Sequence, residues 1–315
     1  MRSRPRWTGR GGRKKNSPME IPAALTWWRG VPGGVQWLDR LPRLAAECAE
    51  MWQLRLGRAF DGGNVSLVLA VERADGLPAV LKINFPDEES EHEADALDFW
   101  QGVGAVRLLA HDRRRRALLL ERCLPGTALW ELRDEEEANR IACAVLRRLW
   151  RPPPADHVFR PLASEALRWA EELPREWAQM GEPFERRLIE RAVGAVQELV
   201  PTQGGLVVVH QDFHGGNVLR AEREPWLAID PKPLVGERAF DAASLLRDRR
   251  EELIQDPAAG RRIRRRLDQL TAELGLDRER LRGWGIVHAL AWGFSGETHK
   301  VEQDMIACAR WLANA

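Results

Sequence analysis

The chain contains no tyrosine in 315 residues, so no phenol serves it as acid, base or nucleophile. Its cysteines number four, Cys48, Cys123, Cys143 and Cys308, and their scatter fits neither metal-ligand spacing nor a disulfide framework. No apolar run approaches the ~18 residues of a membrane span, and no signal-peptide pattern is present. There is no internal repeat. These absences exclude a disulfide scaffold, a zinc module and a solenoid, and they predict a cytoplasmic protein with reduced thiols and no membrane contact.

Net charge of one sign is also missing, since the total is +1. That balance hides an asymmetry. Residues 1–18 carry seven basic side chains (Arg2, Arg4, Arg6, Arg10, Arg13, Lys14, Lys15) and no acid, so the rest carries −6. A basic arm can bind nucleic acid. The poverty of apolar residues instead predicts a disordered tail with no nucleic-acid role, and Met19 opens a more ordinary sequence. With 44% hydrophobic and 30% charged residues, the remainder reads as globular, with room for two lobes.

The chemistry centres on Val207-Val208-Val209-His210-Gln211-Asp212-Phe213-His214-Gly215-Gly216-Asn217-Val218-Leu219. Apolar strands on both sides clamp a polar loop, as a loop that must hold a carboxylate in place requires. His-x-Asp-x-x-x-x-Asn is the spacing of kinase catalytic loops, in which the Asp takes the proton of the attacking hydroxyl and the Asn ligates magnesium. Thirteen residues after Asn217, the apolar run Leu227-Ala228-Ile229 ends at Asp230. Mg²⁺ takes hard oxygen ligands, one or two carboxylates plus substrate phosphates; Asn217 and Asp230 supply that set.

Upstream, residues 56–71 read as a hairpin around Asp61-Gly62-Gly63-Asn64-Val65-Ser66. An ordinary β-hairpin accounts for it; a phosphate-covering loop is the functional alternative. Lys82, inside Ala79-Val80-Leu81-Lys82-Ile83, tips the balance, because a buried ammonium is costly without an anion. Glu93, on a predicted helix over 88–100, shares a face with Leu97 and Trp100 and is the expected partner of Lys82, with Glu89 as fallback. Residues 102–110 and 117–121 read as two further strands, and Glu121-Arg122-Cys123 stands where a hinge between lobes would offer its backbone to an adenine. Helices are expected over 44–54, 138–150, 163–172, 183–199, 261–274 and 279–313. Asp134 with Glu137 resembles a capping box, and Asp241 reads as a helix N-cap. Strands first and helices later give an α+β chain: residues 19–123 as a nucleotide-binding lobe, 124–315 as a catalytic and substrate-binding lobe.

Taken together, Gly62-Gly63-Asn64, Lys82, Glu93, His210-x-Asp212-x-x-x-x-Asn217 and Asp230 resemble the aminoglycoside phosphotransferase family of the protein-kinase-like fold. The wording around 207–219 and 229–241 looks like its streptomycin 6-phosphotransferase/hydroxyurea phosphotransferase branch. The resemblance implies transfer of the ATP γ-phosphate to a small-molecule hydroxyl. It casts Asp212 as base or orienter and gives Mg²⁺ to Asn217 and Asp230. Lys82, set by Glu93, takes the α/β-phosphates, and Asp241 braces the catalytic loop, with His210 as structural support. The chain departs from protein kinases in three places: Asp230-Pro231-Lys232-Pro233 replaces Asp-Phe-Gly, His214 stands where their loop lysine does, and no Ala-Pro-Glu follows. A protein substrate is therefore not expected.

A cationic acceptor suits the body charge of −6. Glu135, Glu136, Glu137, Glu237, Glu297, Glu302 and Asp304 are candidate contacts, though each reads first as a solvated helix residue. Trp284 and Trp292, eight apart, share a helix face and read first as core. A kinase of an amino sugar or amino alcohol, and a nucleotide-binding regulator without turnover, stand as alternatives.

Overall fold

A computed structural model describes residues 20–60, 65–295 and 300–315. Its first half is built on a five-stranded antiparallel sheet in the order β1-β2-β3-β5-β4, from β1 (Arg55–Ala59), β2 (Ser66–Glu72), β3 (Pro78–Asn84), β4 (Leu108–Asp112) and β5 (Ala117–Glu121). Alternation along these strands decides which side each residue serves. Leu67, Leu69, Val71, Ala79, Leu81, Ile83 and Leu119 face α1 (Gly34–Met51) and bury Trp37, Leu38, Leu41, Leu44 and Cys48 of that helix. The opposite face carries Ser66, Lys82, Asn84, Leu118 and Leu120, on the side of α2 (Glu93–Trp100). Lys82 thus looks into the molecule from a strand whose only other polar side chain is Asn84.

Helix α1 begins ten residues before the expected Leu44 and runs through Pro42. Its apolar stripe outweighs the single missing amide. Residues 102–107, expected as strand, do not extend β4. The Val106 amide donates to Ala228 O at 3.0 Å and Gly104 O accepts from the Ala228 amide at 2.8 Å, so this segment spends its hydrogen bonds on the second half of the chain.

That half is mostly helical: α3 (Glu135–Leu149), α4 (Leu162–Gln179), α5 (Arg186–Leu199), α6 (Arg238–Leu246), α7 (Arg250–Leu253), α8 (Ala259–Leu274), α9 (Arg278–Gly293) and α10 (Gln303–Ala313). Asp134 caps α3 by accepting from the Glu137 amide at 3.1 Å. The single helical stretch expected over 279–313 is interrupted: Phe294–Ser295 pair with Lys300–Val301, and the Glu302 amide donates to Gly293 O at 2.7 Å. Trp284 is fully buried, while Trp292 stacks on His288 with centroids 3.9 Å apart; both pack rather than face a ligand. Short strands β6 (Val207–Val209), β7 (Val218–Arg220), β8 (Trp226–Ala228) and β9 (Leu234–Gly236) carry the loop between 209 and 218. Ala96, Leu97, Trp100, Val106, Leu118 and Leu120 belong to the same buried cluster as the helices of this half, so the cleft between the halves has one continuous floor. Among the described residues no helix is long and apolar enough to cross a membrane.

Candidate active site

The loop is held from beneath. Asp241, fully buried on α6, accepts from the amides of His210 and Gln211, both at 2.9 Å, and from Trp150 Nε1 at 2.9 Å. It lies inside the helix, whose N-cap is Glu237. The N-cap expectation is therefore corrected: the carboxylate serves the amides of a loop thirty residues away in sequence. His210 Nε2 lies 2.8 Å from Ile229 O, and His210 O accepts from the Lys232 amide at 3.0 Å. These two contacts lock the loop to the segment that carries Asp230. Gln211 and Asp230 have φ of +69° and +59°, a left-handed conformation that costs a side-chain-bearing residue on the order of 1 kcal/mol or more. The surrounding hydrogen bonds hold both residues there.

Asp212 Oδ1 accepts from Arg247 Nη2 at 3.0 Å, and His214 Nε2 lies 3.9 Å away. Burial alone would raise this carboxyl, but the charges of Lys232 and Arg247 hold it far below the usual carboxylate range. Arg247 is itself fixed, since its Nε donates to His288 Nδ1 at 3.1 Å. With Nδ1 accepting, the His288 proton sits on Nε2, which reaches Gln211 O at 3.1 Å. Complete burial keeps the ring neutral, with its pKa pushed down to about 3.

Asn217 Nδ2 donates to Asp212 O at 3.0 Å, leaving its amide oxygen as an acceptor. Lys82 Nζ donates to both oxygens of Glu93 at 2.7 Å and also to Asp230 Oδ1. Asn84 Nδ2 donates to Glu93 Oε2 at 2.7 Å. Thus Asp212, Asn217, Asp230, Lys82 and Glu93, the first and last of them 148 positions apart in sequence, meet in one cleft. One carboxylate oxygen of Asp230 and the amide oxygen of Asn217 are hard donors of the kind Mg²⁺ takes alongside substrate phosphates. Among the described residues no group of three or more His, Cys, Asp or Glu could hold a metal ion by itself.

Other expected residues stand differently. Gly62, Gly63 and Asn64 lie outside the described residues. Val65 is half-buried against the core beside α1. Ser66 is not free to cradle a phosphate: it is buried, and its hydroxyl donates to Asn84 Oδ1 at 2.6 Å, because alternation turns it toward α2. Glu121 is spent on Arg223, at 2.7 and 2.9 Å, and on the Arg107 amide at 2.9 Å. Its own amide donates to Arg107 O at 2.9 Å, so that group offers nothing to an adenine. Cys123 is buried, and burial pushes its thiol up to about 12.

Several of the acids proposed for a cationic acceptor are neutralised within the chain. Glu135 pairs with Arg262 and Arg266, Glu237 with Arg280 and Trp284, and Asp304 with Arg250. Glu137 pairs with Arg140 and Glu302 with Lys300, while Glu297 lies outside the described residues. A cavity of ≈ 290 Å³ instead opens beside the loop, lined by Trp130, His214 and residues 247–252, with Arg247, Arg249 and Arg250 beside Asp248, Glu251 and Glu252. The Trp130 ring, 47% exposed, stacks on His214 at 5.6 Å. Gly215 and Gly216 permit this approach. A Cβ on Gly216 would stand 2.6 Å from the Trp130 ring, and one on Gly215 2.6 Å from Asp248 Oδ2. Sequence reasoning missed Trp130, Arg247, Asp248, Lys232 and His288. Of these only Lys232 gave a signal, as a second lysine within an otherwise apolar run beside a candidate metal ligand.

Residues 52–296 match the model of a family described as aminoglycoside/hydroxyurea antibiotic resistance kinase. A streptomycin 6-kinase from Streptomyces glaucescens is 42% identical over 251 residues, covering 80% of this chain and 81% of the relative. A hydroxyurea phosphotransferase from Kitasatospora aureofaciens is 39% identical over 277 residues, covering 86% of this chain and 78% of the relative. Among solved structures, aminoglycoside phosphotransferase APH(3'')-Id from Streptomyces rimosus, in complex with ADP and streptomycin, superposes with a TM-score of 0.52 at 21% identity. That match covers 79% of this chain and 99% of the other.

Proposed function

Because the chain belongs to the aminoglycoside/hydroxyurea antibiotic resistance kinase family, we propose that it transfers the γ-phosphoryl group of ATP to a hydroxyl of a cationic, streptomycin-like small molecule. The observation that carries this reading is the meeting of Asp212, Asn217, Asp230 and Lys82 in one cleft, with the cavity beside Trp130 lined by His214 of the same loop and by Arg247, the partner of Asp212. On this reading residues 19–123 hold the nucleotide, 124–315 hold the acceptor, and the site of action is the cytoplasm, where ATP is supplied.

Lys82 neutralises the α/β-phosphates and is aimed by Glu93. Asn217 and Asp230 hold Mg²⁺, which supplies charge neutralisation on the phosphates. Asp212 accepts a hydrogen bond from the acceptor hydroxyl and orients it for in-line attack. Its depressed pKa makes it a weak base, which suits a loose transition state in which the proton leaves late. Asp241 and His210 keep the loop in register, and most of the catalysis comes from positioning and charge neutralisation. Trp130 offers an exposed aromatic face to a cation, and Glu251 and Glu252 offer exposed carboxylates at the same mouth, beside Arg249 and Arg250.

The test is ATP consumption with Mg²⁺ across streptomycin, other aminoglycosides, hydroxyurea and an amino sugar/amino alcohol panel. Turnover with streptomycin that is lost in Asp212→Ala is the expected result. Turnover confined to an uncharged acceptor would overturn the cationic assignment. Nucleotide binding without turnover on any acceptor would replace the enzyme by a nucleotide-binding regulator.

A further inference from the structure

The loop lysine of protein kinases is missing here, and His214 does not replace its charge. His214 Nδ1 accepts from the Gly216 amide at 3.1 Å, and burial lowers the pKa of the ring. The other cations at the cleft are already engaged. Arg247 is held between Asp212 and His288, and Lys82 is held by Glu93 and Asp230. Among the described residues, then, Arg247 is committed to Asp212 and Lys82 to the α/β-phosphates of the proposed site, and neither is left for the moving phosphoryl group.

Lys232 is the cation on the segment that carries Asp230. It follows Asp230 by two residues, and its amide is tied to His210 O at 3.0 Å, so its backbone moves with the catalytic loop. Its side chain is only 16% exposed, and Nζ is 2.7 Å from Glu89 Oε2. Glu89 is 43% exposed and lies on the chain leading into α2, across the cleft. Glu89 is the ion-pair partner of Lys232 among the described residues, while the charges of Asp212 and Asp230 act on the ammonium from farther away. A nearly buried lysine against a half-exposed glutamate is a poor stabilising pair, because its desolvation is not fully repaid. The same lysine in the field of two site carboxylates is well placed to meet an incoming anion.

We infer that Lys232 is a catalytic residue: its ammonium leaves Glu89 and binds the γ-phosphoryl oxygens during transfer. The acceptor oxygen forms its bond to phosphorus as the bond from phosphorus to the β–γ bridging oxygen breaks. The electron pair leaves with ADP, and the hydroxyl proton passes to Asp212 and then to solvent. Lys232 stabilises the equatorial oxygens throughout and takes no proton. The inference rests on the phosphotransferase reading of the cleft.

Its test compares the wild type with Lys232→Met, Lys232→Arg and Glu89→Gln. The readouts are the affinity for MgADP, the affinity for MgADP with aluminium fluoride as a mimic of the transferring group, kcat and KM for ATP, and the melting temperature. Lys232→Met should leave MgADP affinity within about twofold while losing ~10²-fold or more of kcat and of the extra affinity for the fluoride complex. Arg should restore part of both, and Glu89→Gln should keep both. Equal losses in Lys232→Met and Glu89→Gln would reduce the pair to a structural bridge and overturn the proposal. So would an unchanged fluoride complex in Lys232→Met. A wild type that binds no MgADP would overturn the phosphotransferase reading itself, and this inference with it.

Discussion

The floor of the cleft and its acceptor-side rim are built on opposite principles. On the floor, Asp241, His210, Gln211, Ser244 and His288 are all fully buried, and hydrogen bonds from α6 and α9 reach the loop backbone at 2.9 to 3.1 Å. At the rim, Trp130 is exposed and Glu251 and Glu252 are open to water. Buried hydrogen bonds of this kind are costly to lose; the loop is held through its backbone, since His210 Nδ1 and the side-chain amide of Gln211 have no partner among the described residues. An exposed charge contributes little to stability. On the proposed function the difference separates two tasks: the floor fixes the chemistry, and the rim is free to vary with the acceptor.

Four experiments would break or sharpen that contrast. The largest effect is expected from Asp212→Asn, which removes the orienting carboxylate and should lower kcat by roughly 10²–10⁴-fold with little change in nucleotide affinity. Equal kcat in variant and wild type would remove Asp212 from the mechanism. Next, Asp241→Ala leaves three buried donors unpaired and should destabilise the fold by ~3 kcal/mol or more, read as a fall in denaturation midpoint. A melt like that of the wild type would show that the loop does not depend on its floor.

The third is a pH effect. The His288 pKa is pushed down to about 3 by burial, whereas an unfolded histidine titrates near ~6.5. Between these values the unfolded chain binds the proton and the folded chain does not. Stability from this site should thus be complete above about pH 6.5 and fall by ~1.4 kcal/mol for each unit of acidification below it. Burial lowers the pKa of His210 and His214 as well, adding slope of the same sign. His288→Gln should flatten the dependence measured by urea unfolding between about pH 4 and 6.5; an unaltered slope would exclude His288 as its source. The smallest effects belong to the rim. Trp130→Ala and Glu251→Gln should each raise the acceptor KM roughly three- to tenfold, as expected for one exposed cation contact, and leave kcat and melting temperature nearly unchanged. A fall in kcat equal to that of Asp212→Asn would move the rim into the catalytic machinery.

Local order carried much of the sequence-level legibility. The loop from His210 to Asn217, Asp230 thirteen residues later and Lys82 within an apolar strand were readable because spacing, flanking valines and an unexplained buried charge are properties of short stretches. The face chosen by Glu93 was readable from helix periodicity. For the same reason Asp241 was read from its neighbours as a cap, although the family resemblance cast it as the brace of the loop that it is. An acid near the start of a helix resembles a cap, and its real partners are amides 30 and 31 positions upstream. Ser66 was misassigned because strand alternation, absolute in the fold, has no sign until the sheet has a helix on one side.

By itself the sequence determined which reactive groups exist and which neighbours they have along the chain: a carboxylate and an amide five residues apart, a second carboxylate after a strand, and a lysine opposite a helix glutamate. Only the tertiary structure decided that Arg247, 35 residues from Asp212, fixes one oxygen of that carboxylate. The same holds for His288, 41 residues from Arg247, which fixes the arginine. It also decided that Lys232 faces Glu89 across the cleft while Glu135, Glu237 and Asp304 are spent on arginines. Periodicity reports the face of an element, but the charge that meets it comes from a distant segment, and the choice among many possible partners is made by packing.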